Sequence, residues 1–220
     1  LAGRPGAVVV LDGYSGAVLA MTSAPTFDPN QIYTDGYLGS LGEGALINRA
    51  TQGLFTPGST FKTVTLIAAL DTGQIQPNTI IDFGEPRRDE NGRIYYVYEV
   101  DGGLIIDPNH SEPRLDITQS YALSANAAFA KIGHDMDPDM MIEYAGRMGF
   151  GDDSYTRRFP LELPVSVPQL ANDANSIRTN NLLRASTAYG QGELLTTPLN
   201  MGLIVQAVVC LLYTSDAADE

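Results

Sequence analysis

The chain has 220 residues, 44% hydrophobic and 18% charged, an ordinary globular composition that excludes a disordered chain or a coiled coil and suffices for one domain with a substantial core. Its formal net charge of −13 argues against nucleic-acid binding, which needs clustered Lys and Arg, and against a basic amphipathic membrane anchor. A single cysteine, Cys210, rules out an internal disulfide without fixing the compartment.

Ala7–Leu11 is apolar and β-branched, Asp12–Gly16 has turn chemistry, and Ala17–Thr22 resumes the apolar pattern, so a β-hairpin is predicted. Pro25–Asn30 reads as a loop, and Asn48–Gln52 as a polar approach to Pro57-Gly58. Ser59–Asp71 is predicted as a helix. Ser59 suits its N-terminus, Phe61, Val64, Ile67, Ala68 and Leu70 share a face, and Gly73 ends it. Residues 84–114 read as a surface insertion, crowded with charge from Glu85 to Glu90 and turning at Glu90-Asn91-Gly92. Its tyrosines fit strand packing better than a binding face.

Asp116 can cap a helix to Leu123; Ser124-Ala125-Asn126 interrupts it and Ala127–Ile132 resumes it. Asp137-Pro138 starts a helix expected to run to about Met148 and stop at Gly149. Asn181–Ala188 and Pro198–Val209 are further helices, the latter capped by Thr197. The longest apolar stretch, Met201–Tyr213, is interrupted by Gln206 and is shorter than the roughly 20 residues of a spanning helix. Leu1-Ala2-Gly3-Arg4 is not an initiator start, so the chain is expected to be a piece of a longer protein.

Chemistry concentrates at Ser59-Thr60-Phe61-Lys62. Positions i and i+3 of a helix share a face. A serine hydroxyl is a poor nucleophile until a base takes its proton, and a lysine amine serves once burial or nearby positive charge lowers its pKa. The helix N-terminus offers free N–H groups and a positive dipole end, which suits an oxyanion. Ser-x-x-Lys is common by chance, but lysine is scarce here: Lys62 and Lys131 stand against eleven arginines. Ser124-Ala125-Asn126 adds a second polar cluster of matching chemistry. His110 and His134 lack a spaced partner for zinc, so neither a metal nor a cofactor is expected.

Pro57-Gly58-Ser59-Thr60-Phe61-Lys62 followed by Ser124-Ala125-Asn126 resembles the transpeptidase domain of penicillin-binding proteins. The resemblance covers roughly residues 6–205. It includes Gly6–Met21, Phe27-Asp28-Pro29-Asn30, Asn48-Arg49-Ala50-Thr51-Gln52, Gly190-Gln191-Gly192-Glu193-Leu194 and Thr197-Pro198-Leu199, and its form leans towards the class B-like members. It implies an α+β fold of helices on an antiparallel sheet. Ser59 would attack the penultimate D-alanine carbonyl of a peptidoglycan stem peptide and Lys62 would accept its proton. Ser124 would relay a proton to the leaving group, and Asn126 would hold the substrate backbone and Lys62. β-Lactam antibiotics would acylate the same serine.

A full-length parent would be anchored at, and act on, the outer face of the bacterial cell membrane, with cell division or elongation proteins as possible partners. Two departures are visible. No Lys-Thr/Ser-Gly triplet occurs downstream, so residues 1–209 are expected to be a partial domain lacking the last sheet strands, poorly stable and inactive or nearly so. The tail 210–220 does not follow the family pattern and is expected to be foreign. A Ser-x-x-Lys β-lactamase or sensor domain, and a non-catalytic cell-wall binding module, are the alternatives.

Overall fold

The computed structural model describes residues 4–151 and 163–216. The architecture is α+β, and the described chain divides into two compact units: 4–55, 163–168 and 196–216 in the first, 56–151 and 169–195 in the second.

The first unit holds the hairpin read from the sequence. Strand β1 (Gly6–Leu11) pairs antiparallel with β2 (Val18–Ala24), with a register shift at Val10/Leu11. Asp12 organises the turn by accepting from the backbone N–H groups of Tyr14 and Ser15 and from the Ser15 hydroxyl. A 3₁₀ turn (Pro29–Gln31) capped by Asp28 and a short helix α1 (Tyr37–Ser40) follow. The helix expected over Pro198–Val209 runs further, over Pro198–Asp216, because no Gly or Pro follows Gly202 to stop it. The Thr197 hydroxyl accepts from Asn200 N–H at 3.1 Å, as expected of its cap. This helix packs on β1. Of the tail 210–220 expected to be foreign, residues 217–220 lie outside the described residues.

The second unit is built on helices. A 3₁₀ turn (Gly58–Phe61) leads into α2 (Lys62–Asp71), so the helix expected from Ser59 is split, and Ser59 is not its capping residue. Gly58 sits at a φ of +59°, which starts the turn one residue before Ser59. The buried face of α2 is Lys62, Val64, Thr65, Ala68 and Ala69, while Ile67 and Leu70 are only half-buried. That face therefore carries more polar atoms than the apolar pattern suggests, and Thr65 is satisfied by donating to Ala188 O at 2.7 Å.

Strand β3 (Ile80–Asp82) pairs with β7 (Arg114–Asp116), and β4 (Arg87–Arg88), β5 (Ile94–Val100) and β6 (Gly103–Asp107) form a three-stranded antiparallel sheet. The segment read as a surface insertion has an exposed charged edge at Arg87 and Arg88, but its inner side chains are core. Tyr96, Val100, Ile105 and Asp107 are all buried, and Val100 and Ile105 pack with Ala130 and Ala185 of two helices.

Helix α3 (Ile117–Ala122) begins with a reciprocal capping box between Asp116 and Gln119. Helices α4 (Asn126–Asp135), α5 (Pro138–Arg147), α6 (Ala174–Thr179) and α7 (Asn181–Ala188) complete the unit. The α4–α7 crossing is close: a Cβ at Gly133 would lie 2.1 Å from that of Ala188. Buried Arg184 of α7 donates to Gly133 O and His134 O, satisfying carbonyls at the end of α4. Among the described residues, no helix is long and apolar enough to cross a membrane.

Candidate active site

The start of α2 and the α3–α4 break bring the four candidate residues together. Ser59 lies exposed in the 3₁₀ turn, and Lys62, one turn later, is buried at 1% exposure. The Lys62 Nζ lies 3.2 Å from Ser59 Oγ, 2.9 Å from Ser124 Oγ, 2.6 Å from Ser124 O and 2.8 Å from Asn126 Oδ1. It also stands 5.6 Å from the centre of the Phe129 ring.

The backbone explains why Ser124 offers two oxygens to one amine. Helix α3 ends at Ala122, and Ser124 adopts a φ of +56°, in the left-handed region that non-glycine residues rarely enter. The chain then extends through Ala125 before α4 starts at Asn126. This break aims the Ser124 carbonyl and hydroxyl, and the Asn126 amide, at the same point.

Burial pushes the Lys62 ammonium down from its ordinary 10.5 to about 8, because the charged form loses its water. The negative charge of Asp107 works against this and holds the value up. The amine is thus partly neutral near neutral pH, with a lone pair beside Ser59 Oγ. That arrangement can activate the hydroxyl for acyl transfer and carry its proton towards Ser124.

Three contributors were not singled out for the site from the sequence. The Asp107 carboxylate at the end of β6 accepts from Ala127 N–H at 2.9 Å, and the Asn109 side chain donates to Ser124 O at 3.0 Å. Gly190, noted only as part of a motif, accepts through its carbonyl from Gly58 N–H at 3.0 Å and lets the Gly58 backbone pass. A Cβ on Gly190 would lie 1.7 Å from Gly58 O, so no other residue fits against the entrance to the Ser59 turn. The signal for Asp107 was the turn-forming Asp-Pro-Asn sequence, which marks a turn without saying what it faces.

His110 lies beside Asp107, its Nε2 3.6 Å from Oδ2, and is stacked on Tyr96. His134 is elsewhere, in contact with the Tyr98 hydroxyl. Among the described residues, no group of three or more His, Cys, Asp or Glu could hold a metal ion.

Residues 6–210 match the family model described as penicillin binding protein transpeptidase domain. The chain is 35% identical over 159 residues to the peptidoglycan D,D-transpeptidase MrdA of Escherichia coli K12, covering 69% of this chain and 24% of that protein. It is 28% identical over 214 residues to the peptidoglycan D,D-transpeptidase PbpA of Mycolicibacterium smegmatis, covering 92% and 40%. The chain therefore spans well under half the length of these curated relatives. Among solved structures, it is similar to the D,D-transpeptidase domain of a peptidoglycan glycosyltransferase from Eggerthella lenta, with a TM-score of 0.75, 26% identity and coverage of 94% and 50%. It is also similar to penicillin-binding protein A from M. tuberculosis in its penicillin G acyl-enzyme complex, with a TM-score of 0.71, 25% identity and coverage of 94% and 46%.

Proposed function

Because the chain belongs to the penicillin-binding protein transpeptidase domain family, we propose that it carries the acylating half of a D,D-transpeptidase site, with Ser59 as nucleophile and Lys62 as its base. The substrate is the D-alanyl-D-alanine end of a peptidoglycan stem peptide. Ser59 Oγ attacks the penultimate carbonyl while its proton passes to the Lys62 amine. The new ester C–O bond forms as the C–N bond to the terminal D-alanine breaks. Ser124 Oγ, within 2.9 Å of Lys62 Nζ, hands a proton to the departing amine. Asn126 holds Lys62 through its Oδ1 and offers its amide to the substrate backbone. An amine of a second stem peptide then displaces Ser59 to give the cross-link. Ser59 N–H, near the start of its 3₁₀ turn, has no acceptor within the turn and can face the developing oxyanion. A β-lactam ring, whose amide is a strained analogue of the same bond, acylates Ser59 by the same route.

One observation carries this reading: a buried lysine amine in contact with both hydroxyls, 3.2 Å from one and 2.9 Å from the other. The parent protein works at the outer face of the bacterial cell membrane, where its substrate lies, alongside cell division or elongation proteins.

The test is acylation by a fluorescent penicillin, read by intact mass, on this chain and on a version extended through a Lys-Thr/Ser-Gly strand. A single adduct on the extended form that persists for hours and disappears in Ser59→Ala is the expected result. Rapid release of the adduct would point instead to a β-lactamase. A folded extended form that takes no label would overturn the assignment.

A further inference from the structure

Helix α4 begins without a cap of its own: Ala125, at the cap position, has no polar side chain, and the first N–H groups of a helix need outside acceptors. Asp107, fully buried at the end of β6, fills the role through its bond to Ala127 N–H. The same stretch touches the catalytic turn twice more. Asn109 donates to Ser124 O at 3.0 Å, and Ile106 O accepts from the Asn126 side-chain amide at 3.5 Å. Residues 106–109 thus grip both of the groups that hold Lys62.

An asparagine would cap α4 equally well, and burying a carboxylate is costly unless its charge is used. Among the described residues, no hydrogen bond pairs Asp107 with a cation. Among the described residues, His110, from the loop after β6, lies 3.6 Å from its Oδ2, and Lys62, from α2, feels its charge. His110 directs Nδ1–H to Glu112 O, and its Nε2 has no hydrogen-bond partner among the described residues.

We propose that Asp107 is a positioning residue for acylation, its carboxylate both clamping the head of α4 and supplying the negative charge behind the Lys62 amine. The proposal rests on the reading of Ser59 and Lys62 as the acylating pair. The carboxylate touches no reacting atom. It acts by fixing where Ser124 and Asn126 stand and how readily Lys62 keeps its proton.

The two lysines make a direct test possible. Selective carbon-13 labelling at lysine Cε gives two NMR signals, and Lys131→Arg, a change at an exposed position, assigns them. In Asp107→Asn, which preserves the cap, the Lys62 titration midpoint falls by at least about half a pH unit. In Asp107→Glu, which keeps the charge, it stays close to that of the unaltered chain. A merely structural cap predicts no change in Asp107→Asn, and that result would overturn the proposal. The pH profile of penicillin acylation of the extended form should move by the same amount as the NMR midpoint in Asp107→Asn. If the folded extended form takes no label, the acylation reading fails on its own, while the lysine titration of this chain still decides whether Asp107 acts on Lys62.

Discussion

Lys62 shows how one residue is held in an unfavourable place by its neighbours. A buried ammonium is costly, and four oxygen contacts within 3.2 Å replace the lost water. Because burial lowers Lys62 to about 8, the free amine that can accept the Ser59 proton accumulates as pH rises through that value. Penicillin acylation is therefore expected to increase about tenfold per pH unit below about 8 and level off above it. Lys62→Met should remove this limb and slow acylation on the order of a thousandfold or more. Rates measured from pH 6 to 10 by stopped reaction and intact mass check both points. The same shift bears on stability. Between about 8 and the ordinary 10.5, the unfolded chain holds a proton that the folded chain has released. This group alone therefore makes stability rise with pH across that window, and the gain is absent below about 8.

At the scale of elements, the Ser59 turn is braced by a contact that tolerates no side chain. Gly190, at a φ of +90°, lies against Gly58, and Thr65 ties α2 to the end of α7. Gly190→Ala combines a clash with Gly58 O and a strained backbone, so a loss of about 3 kcal/mol or more is expected in urea unfolding, with acylation impaired in whatever folds. The sequence made the local parts of this arrangement legible. Ser59 and Lys62 are one helical turn apart, Asp116 caps a helix, and Asp137-Pro138 announces a helix start. Each signal lies within a few residues, where propensity and spacing act. Asp107 and Gly190 were not legible as site residues because their importance depends on what folds against them from far along the chain. The half-polar face of α2 was misjudged for the same reason: Thr65 and Lys62 are buried only because partners on α7, on α4 and in the α3–α4 break satisfy them.

At the scale of the whole chain, the two units differ in how they are held. The second is anchored by α4, where Ala128, Phe129 and Ala130 are fully buried and a three-stranded sheet packs on the helices. The first rests on a two-stranded sheet whose Val8, Val10 and Leu19 stay exposed at 45%, 44% and 65%, and an isolated hairpin of this size is marginal. Hydrogen exchange followed by mass spectrometry is therefore expected to show β1 and β2 amides exchanging well ahead of those of α4. Equal protection in the two would mean that the hairpin is held more firmly than its own burial accounts for.

The left-handed backbone at Ser124 narrows what can ever stand there. A threonine would keep the hydroxyl, but a β-branched side chain is a poor occupant of a φ of +56°. A glycine would accept the backbone readily and lose the hydroxyl. An alanine would keep neither advantage. Conformation and chemistry thus exclude different substitutes, and between them they leave serine with few neighbours in sequence space, so drift at this position is closed off from two directions at once.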